Sequence, residues 1–88
     1  MALNFPNQSR SYDARTHSVR FWAHDASFEV PFFVPADALC HMDPDATTDE
    51  PGLLKAFDLN RDRICAAAGR AYARGRRGSY TLSAADMR

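Results

Sequence analysis

The chain has little of what stabilises small secreted domains or anchors proteins in membranes. It contains only two cysteines, Cys40 and Cys65, too few for the disulfide framework of a small secreted domain. No run approaches the roughly 18 apolar residues that a membrane-spanning helix needs, and no apolar leader follows Met1. These absences predict a cytoplasmic protein with reduced thiols and no membrane association.

Large aliphatic and phenylalanine side chains are also scarce. Leu, Ile, Val and Phe together account for 16 of the 88 residues, and such scarcity combined with a high net charge indicates disorder. Here 11 basic and 11 acidic residues cancel, while Trp22, three tyrosines and many alanines add apolar area. We therefore predict a single folded domain over residues 1–88, with helices packed closely over alanines.

Residues 51–74 form the clearest predicted element, a single long helix. Asp49 and Pro51 suit its N-terminus, and Gly75 suits the position just after its end. Apolar side chains recur at helical spacing: Leu53, Leu54, Phe57, Ile64, Ala67, Ala68, Ala71 and Tyr72. Because such a helix spans about 36 Å, longer than a typical strand, it overhangs the sheet or bends, and Gly69 is the expected bend.

Two alternating segments, near 18–23 and 28–34, predict an antiparallel hairpin. A four-residue loop at 24–27 sets Phe21 opposite Val30 and keeps every inward pair apolar. A short helix near residues 36–42 and a final strand near 79–83 complete the predicted elements.

Trp22 and Phe33 fall on the other, outward face of this hairpin, together with Arg20. One interpretation is that a loop such as residues 3–6 covers the two rings. The alternative is a surface for a partner or for self-association, which exposed aromatic side chains often mark.

Arg61 interrupts the apolar stripe of the long helix, four residues after Phe57 and three before Ile64. We favour the interpretation that its stem packs on the core while its guanidinium reaches water or a carboxylate. The alternative is a fixed guanidinium presented to a carboxylate or phosphate of a ligand.

Basic charge is concentrated at the C-terminal end of the chain. Residues 1–60 carry a net charge of −5 and residues 61–88 carry +5. Four arginines lie within eight residues, close to Tyr72 and Tyr80: Arg70, Arg74, Arg76 and Arg77. Such a cluster could bind phosphates and stack on bases, but we favour a solvated helix end whose cations complement the helix dipole.

Reactive side chains lack the spacing of known catalytic or metal motifs. Cysteines and histidines show no CxxC or HxxxH pattern, so we expect no metal and no other cofactor. Cys65 lies beside the apolar stripe, and the neighbours Cys40 and His41 point to different helix faces. No residue is assigned a catalytic role, and the sequence argues against an enzyme.

The whole pattern resembles a small bacterial family of uncharacterised proteins, catalogued as domain of unknown function 1488. The resembling segments are Leu3-Asn4-Phe5-Pro6, Tyr12-Asp13, Val19-Arg20-Phe21-Trp22-Ala23, Phe32-Phe33-Val34, Asp37-Ala38-Leu39, Leu54-Lys55-Ala56-Phe57, Asn60-Arg61-Asp62-Arg63-Ile64, Ala71-Tyr72 and Ser79-Tyr80-Thr81-Leu82. The resemblance implies a compact α+β fold of a sheet and two helices, and it implies no catalytic residue, cofactor or partner.

We therefore expect a two-layer α+β fold, with a three- or four-stranded, mainly antiparallel sheet and both helices on one face. The leading functional hypothesis is a non-catalytic module that binds a protein partner or forms a homodimer. The second is weak nucleic-acid binding through the basic segment 70–77. The candidate interaction surface comprises Trp22, Phe33, Arg61, Arg70, Arg74, Arg76 and Arg77.

Overall fold

The computed structural model describes residues 3–4, 10–25, 28–74 and 80–87. Its elements are β1 (Arg10–Asp13), β2 (Ser18–Asp25), β3 (Phe28–Pro35), α1 (Ala36–Met42), α2 (Glu50–Leu59), α3 (Arg61–Arg74), β4 (Tyr80–Thr81) and a terminal 3₁₀ turn (Ala84–Met87). The strands form one sheet in the order β1-β2-β3-β4, antiparallel except for the parallel β3–β4 pair. The predicted α+β class is confirmed, with a four-stranded mixed sheet and three helices.

A row of aromatic rings joins the helices to the sheet. The centroid of Phe57 on α2 lies 5.1 Å from that of Phe21 on β2, which lies 5.3 Å from that of Phe32 on β3. Tyr80 on β4 stacks on Phe32 at 5.1 Å, and Tyr72 on α3 meets Tyr80 edge-on at 5.8 Å. Since all five rings are buried in one core with the inward residues of the helices, the described helices occupy one face of the sheet.

The prediction of one helix over 51–74 is wrong, because the helix is interrupted at Asn60 and forms two helices, α2 and α3. The backbone of Asn60 (φ −116°, ψ 18°) leaves the helical region, and its N–H bonds the Phe57 carbonyl at 3.1 Å. Its side-chain Nδ2 also donates to the Ala56 carbonyl at 2.9 Å, while its own carbonyl accepts the Ile64 N–H at 3.0 Å. Asparagine favours such ends because its amide competes for backbone groups. Gly69, the expected bend, stays within α3.

The predicted hairpin register is also wrong, by two residues. Phe21 lies opposite Phe32 and Ala23 opposite Val30, so only two residues separate β2 from β3. A shift of two residues keeps every inward side chain inward, so the apolar pattern does not distinguish the two registers. In the structure Asp25 pairs with Phe28, which selects the second register, and the Phe28 side chain is 73% exposed.

The remaining predicted elements are found close to their expected places. The short helix near 36–42 is α1. The strand predicted near 79–83 is only two residues long, and it pairs in parallel with β3. Tyr80 and Leu82 are nevertheless buried, as predicted. Gly75, the expected residue after the helix, lies outside the described residues.

Two glycines offer a matched test of this fold. An added Cβ at Gly52 would overlap the hydroxyl and carbonyl of Thr47, whereas one at Gly69 meets nothing within 4 Å. We expect Gly52→Ala to lower the free energy of unfolding by about 1–3 kcal/mol, as overpacking does. Gly69→Ala should raise it by about 0.5–1 kcal/mol through helix propensity. Urea denaturation followed by circular dichroism measures both, and equal effects would contradict the placement of the two glycines.

Candidate interaction surface on the outer face of the sheet

The face of the sheet opposite the described helices is here called the outer face. Strand register places on it Ser11, Asp13, Ser18, Arg20, Trp22, His24, Glu29, Pro31, Phe33, Pro35 and Thr81. Their alternation with the buried residues confirms that Trp22 and Phe33 share this face. The two rings are half-buried.

Arg20 lies between these two rings. Its guanidinium carbon is 4.9 Å from the centroid of Trp22 and 5.6 Å from that of Phe33, which is its direct partner across β2 and β3. Cation–π contacts of this kind contribute about 0.5–2 kcal/mol each. The rings therefore hold the guanidinium in place on the outer face.

The Nε atom of Arg20 is buried and has no hydrogen-bond partner among the described residues. Leaving a buried donor unsatisfied costs about 1–3 kcal/mol, and most such groups in folded proteins are paired. The sequence placed Arg20 on this face but gave no reason to single it out. Only its contacts show that it is a fixed cation without a counter-ion in the described part of the chain.

The predicted loop cover of the rings is only partly described. Leu3 packs against the core, and Asn4 exchanges two backbone hydrogen bonds with His24, of 2.8 and 2.7 Å. Residues 3–4 thus extend the sheet beside the end of β2 and do not lie over the rings. Residues 5–6 fall outside the described part of the chain.

A slot of about 200 Å³ adjoins Phe33 on the same face, lined by Thr16, Ser18, Phe33, Pro35 and Thr81. The hydroxyls of Thr16 and Ser18 lie 2.6 Å apart and bond each other. Pockets that enclose small organic ligands are typically about 300–1,000 Å³. The slot is smaller than such pockets.

The contacts of Arg61 agree with the favoured interpretation, and Arg61 does not lie on the outer face. Its guanidinium carbon is 4.9 Å from the Phe57 ring, and its Nη2 is 3.5 Å from Oδ1 of Asp58. Arg10 donates two hydrogen bonds to the same carboxylate, from Nε at 3.0 Å and from Nη2 at 2.8 Å. These bonds hold the pKa of Asp58 below its usual range. They occur in an open groove of about 510 Å³, lined also by Leu59, on the helical side of the protein.

Arg70 and Arg74 hold the terminal 3₁₀ turn. Nη2 of Arg70 donates to the Asp86 carbonyl at 2.8 Å, and Nη2 of Arg74 donates to Asp86 Oδ1 at 2.9 Å. The other carboxylate oxygen accepts the backbone N–H of Ser83 at 2.8 Å and its hydroxyl at 3.1 Å. Arg76 and Arg77 lie outside the described residues. The structure therefore brings together Trp22 and Phe33, and separates them from the other described candidates.

The reactive residues do not assemble into a site. Cys40 and Cys65 are free thiols, and burial raises the pKa of Cys65, which lowers its thiolate fraction. Within residues 3–4, 10–25, 28–74 and 80–87, no three His, Cys, Asp or Glu side chains are grouped so as to hold a metal. None of the described helices has the length and hydropathy required to cross a bilayer.

Comparison with known proteins identifies a family and nothing finer. A family model described as "Protein of unknown function (DUF1488)" matches residues 3–83. No curated protein and no solved structure matches the chain.

The bonds around Asp86 predict a dependence of stability on pH. The hydrogen bonds from Ser83 and Arg74 lower the pKa of Asp86 in the folded state. Its contribution is therefore full above the unfolded-state value of about 4 and is lost as the pH falls through the lower folded value. We expect Asp86→Asn to reduce the free energy of unfolding by about 1 kcal/mol at pH 7.

Denaturation of the wild type and of Asp86→Asn from pH 7 downward measures this difference. It should shrink below about pH 4, whereas a difference that stays constant across the range would contradict the assignment. Asp45→Asn provides a control, because Asp45 is an exposed turn carboxylate.

Proposed function

This chain belongs to the DUF1488 family of proteins of unknown function, and we propose that it is a non-catalytic protein-interaction module whose binding surface is the outer face. The observation that carries the proposal is Arg20, held between Trp22 and Phe33 with a buried Nε that has no acceptor among the described residues. A group supplied by a partner would complete this arrangement.

The chemistry of the outer face suits a protein partner. Tryptophan, phenylalanine and arginine are enriched in the buried centres of protein interfaces, and tryptophan and arginine dominate their binding energy. Pro31, opposite Trp22, adds apolar surface without a free backbone N–H. The face is a sheet surface with a small slot beside Phe33, and such a shape receives another protein surface more readily than an enclosed substrate.

A module of this kind needs no cofactor and no catalytic residue, and we assign none. Cys40 and Cys65 are free thiols, which suits a reducing compartment. We propose that it acts as a single-domain module in the bacterial cytoplasm.

Nucleic-acid binding through the segment 70–77 is the weaker candidate. Tyr72 and Tyr80, the rings that would stack on bases, are only 7% and 4% exposed. Arg70 and Arg74 bond Asp86. Fluorescence anisotropy with labelled single- and double-stranded oligonucleotides tests this candidate. Binding at low salt that is lost on Arg76→Ala and Arg77→Ala would favour it over the outer face.

The proposed function predicts that capture of protein partners depends on the outer face. An affinity-tagged chain is incubated with lysate from the source organism and with an untagged copy of the chain, and retained proteins are quantified by mass spectrometry. We expect at least one retained protein, either the untagged copy or another, to be lost with Trp22→Ser and with Arg20→Gln. Removing an anchor side chain of this type typically reduces affinity by about ten-fold or more.

Leu59→Ser supplies the matched control. Leu59 is 68% exposed on α2, so this substitution also removes an exposed apolar side chain, but from the helical side. Its set of retained proteins should equal that of the wild type. Retention that is unchanged by Trp22→Ser and Arg20→Gln would contradict the proposal.

A further inference from the structure

Besides Asp13, whose carboxylate accepts the backbone N–H of Arg15, the outer face carries two charges that form no ion pair in the described part of the chain. Arg20 makes cation–π contacts with its flanking rings and no ion pair, and the exposed carboxylate of Glu29 takes part in no hydrogen bond or ion pair described for residues 3–4, 10–25, 28–74 and 80–87. The two lie on adjacent strands but at different levels. A level here means one pair of residues that lie opposite each other on β2 and β3. Arg20 lies at the level Arg20–Phe33 and Glu29 at the level His24–Glu29, with Trp22–Pro31 between them, so the two levels are about 13 Å apart along the strands.

A two-fold axis through the middle level relates these charges between two copies. If the axis lies between two facing sheets, perpendicular to the strands at Trp22–Pro31, it places the level of Arg20 over the level of Glu29 in the other copy. This axis sets Arg20 of one copy over His24 of the other. Because His24 and Glu29 lie opposite each other on adjacent strands, with their side chains only about 5 Å apart, Arg20 is also within reach of Glu29 of the other copy. The same operation repeats the contact, as in any two-fold interface.

We propose that the outer face is the contact surface of a homodimer in which Arg20 of each copy pairs with Glu29 of the other. The inference rests on the proposed function and names the partner as a second copy of this chain. Trp22 and Pro31 of both copies then meet at the axis, where interfaces place their apolar anchors. The alternative axis, parallel to the strands, sets Arg20 over Phe33 of the other copy and leaves both charges unpaired.

The size of the face determines the affinity to expect. The longest strands have eight residues, so the face measures at most about 26 Å by 19 Å, given strand rise and spacing. This area lies at the low end for specific interfaces, which bury about 800 Å² per partner. Interfaces at this low end are typical of weak, transient association, so we expect the dimer to be populated only at high protein concentration.

Reciprocal charge reversal tests the pairing. Arg20→Glu and Glu29→Arg should each weaken self-association by about ten-fold or more, because each creates two like-charge contacts. In an equimolar mixture of the two variants, both contacts again join a carboxylate of one chain to a guanidinium of the other, so a heterodimer should form with near wild-type affinity. Sedimentation equilibrium measures the masses. Emission from Trp22, the only tryptophan, should shift to the blue on association.

A charge reversal outside the outer face is the control for these variants. Asp45→Arg makes the same charge change as Glu29→Arg at an exposed turn outside the face, and it should leave association unchanged. If Arg20→Glu does not fold, as judged by circular dichroism, Glu29→Arg alone decides, since Glu29 is exposed and its loss removes no described contact.

Two results would overturn the inference. One is a wild type that stays monomeric at several hundred micromolar with unchanged Trp22 emission. The other is a Glu29→Arg variant that associates as the wild type does. Either result leaves the proposed function standing if another protein is still captured in a Trp22-dependent manner. If neither self-association nor Trp22-dependent capture is observed, both the homodimer and the proposed function are rejected.

Discussion

The row of five aromatic rings is the contact on which the rest of this structure depends. Aromatic side chains bury about 150–250 Å² each, and in a chain with few aliphatic residues they supply much of the core. The row runs from Phe57 through Phe21, Phe32 and Tyr80 to Tyr72, so it connects α2 and α3 across three strands. The hydroxyl of Tyr72 also donates to the carboxylate of Asp25 at the end of β2.

This row also determines what the outer face displays. Because side chains alternate along a strand, burial of Phe21 and Phe32 commits Arg20, Trp22 and Phe33 to the opposite side of the sheet. With the described helices occupied in covering the row, none remains for that side. The stacked arginine is therefore a consequence of how the core is built, and the absence of a counter-ion among the described residues is what turns a structural feature into a candidate binding surface.

Several charged side chains in the described part of the chain have a structural role. The asymmetry between the two halves of the chain suggested nucleic acid, but Arg70 and Arg74 hold the terminal 3₁₀ turn through Asp86. Asp58 in turn joins Arg10 on β1 to Arg61 on α3. Ion pairs as exposed as these contribute little energy, and their described role is to link α2, α3 and the terminal 3₁₀ turn to neighbouring elements.

The sequence by itself determined the α+β class, the position of α1, the inward residues of the hairpin and the shared face of Trp22 and Phe33, because these follow from local periodicity. Tertiary structure decided the rest. The hairpin register follows from which residues pair across β2 and β3, since a shift of two residues preserves the apolar pattern. The helix break is a local exception: it depends on the hydrogen bonds that Asn60 donates to the carbonyls of Ala56 and Phe57, which apolar periodicity does not signal. The parallel pairing of β4 and the isolation of Arg20 within the described part of the chain depend on contacts between residues distant in sequence, which no periodicity encodes.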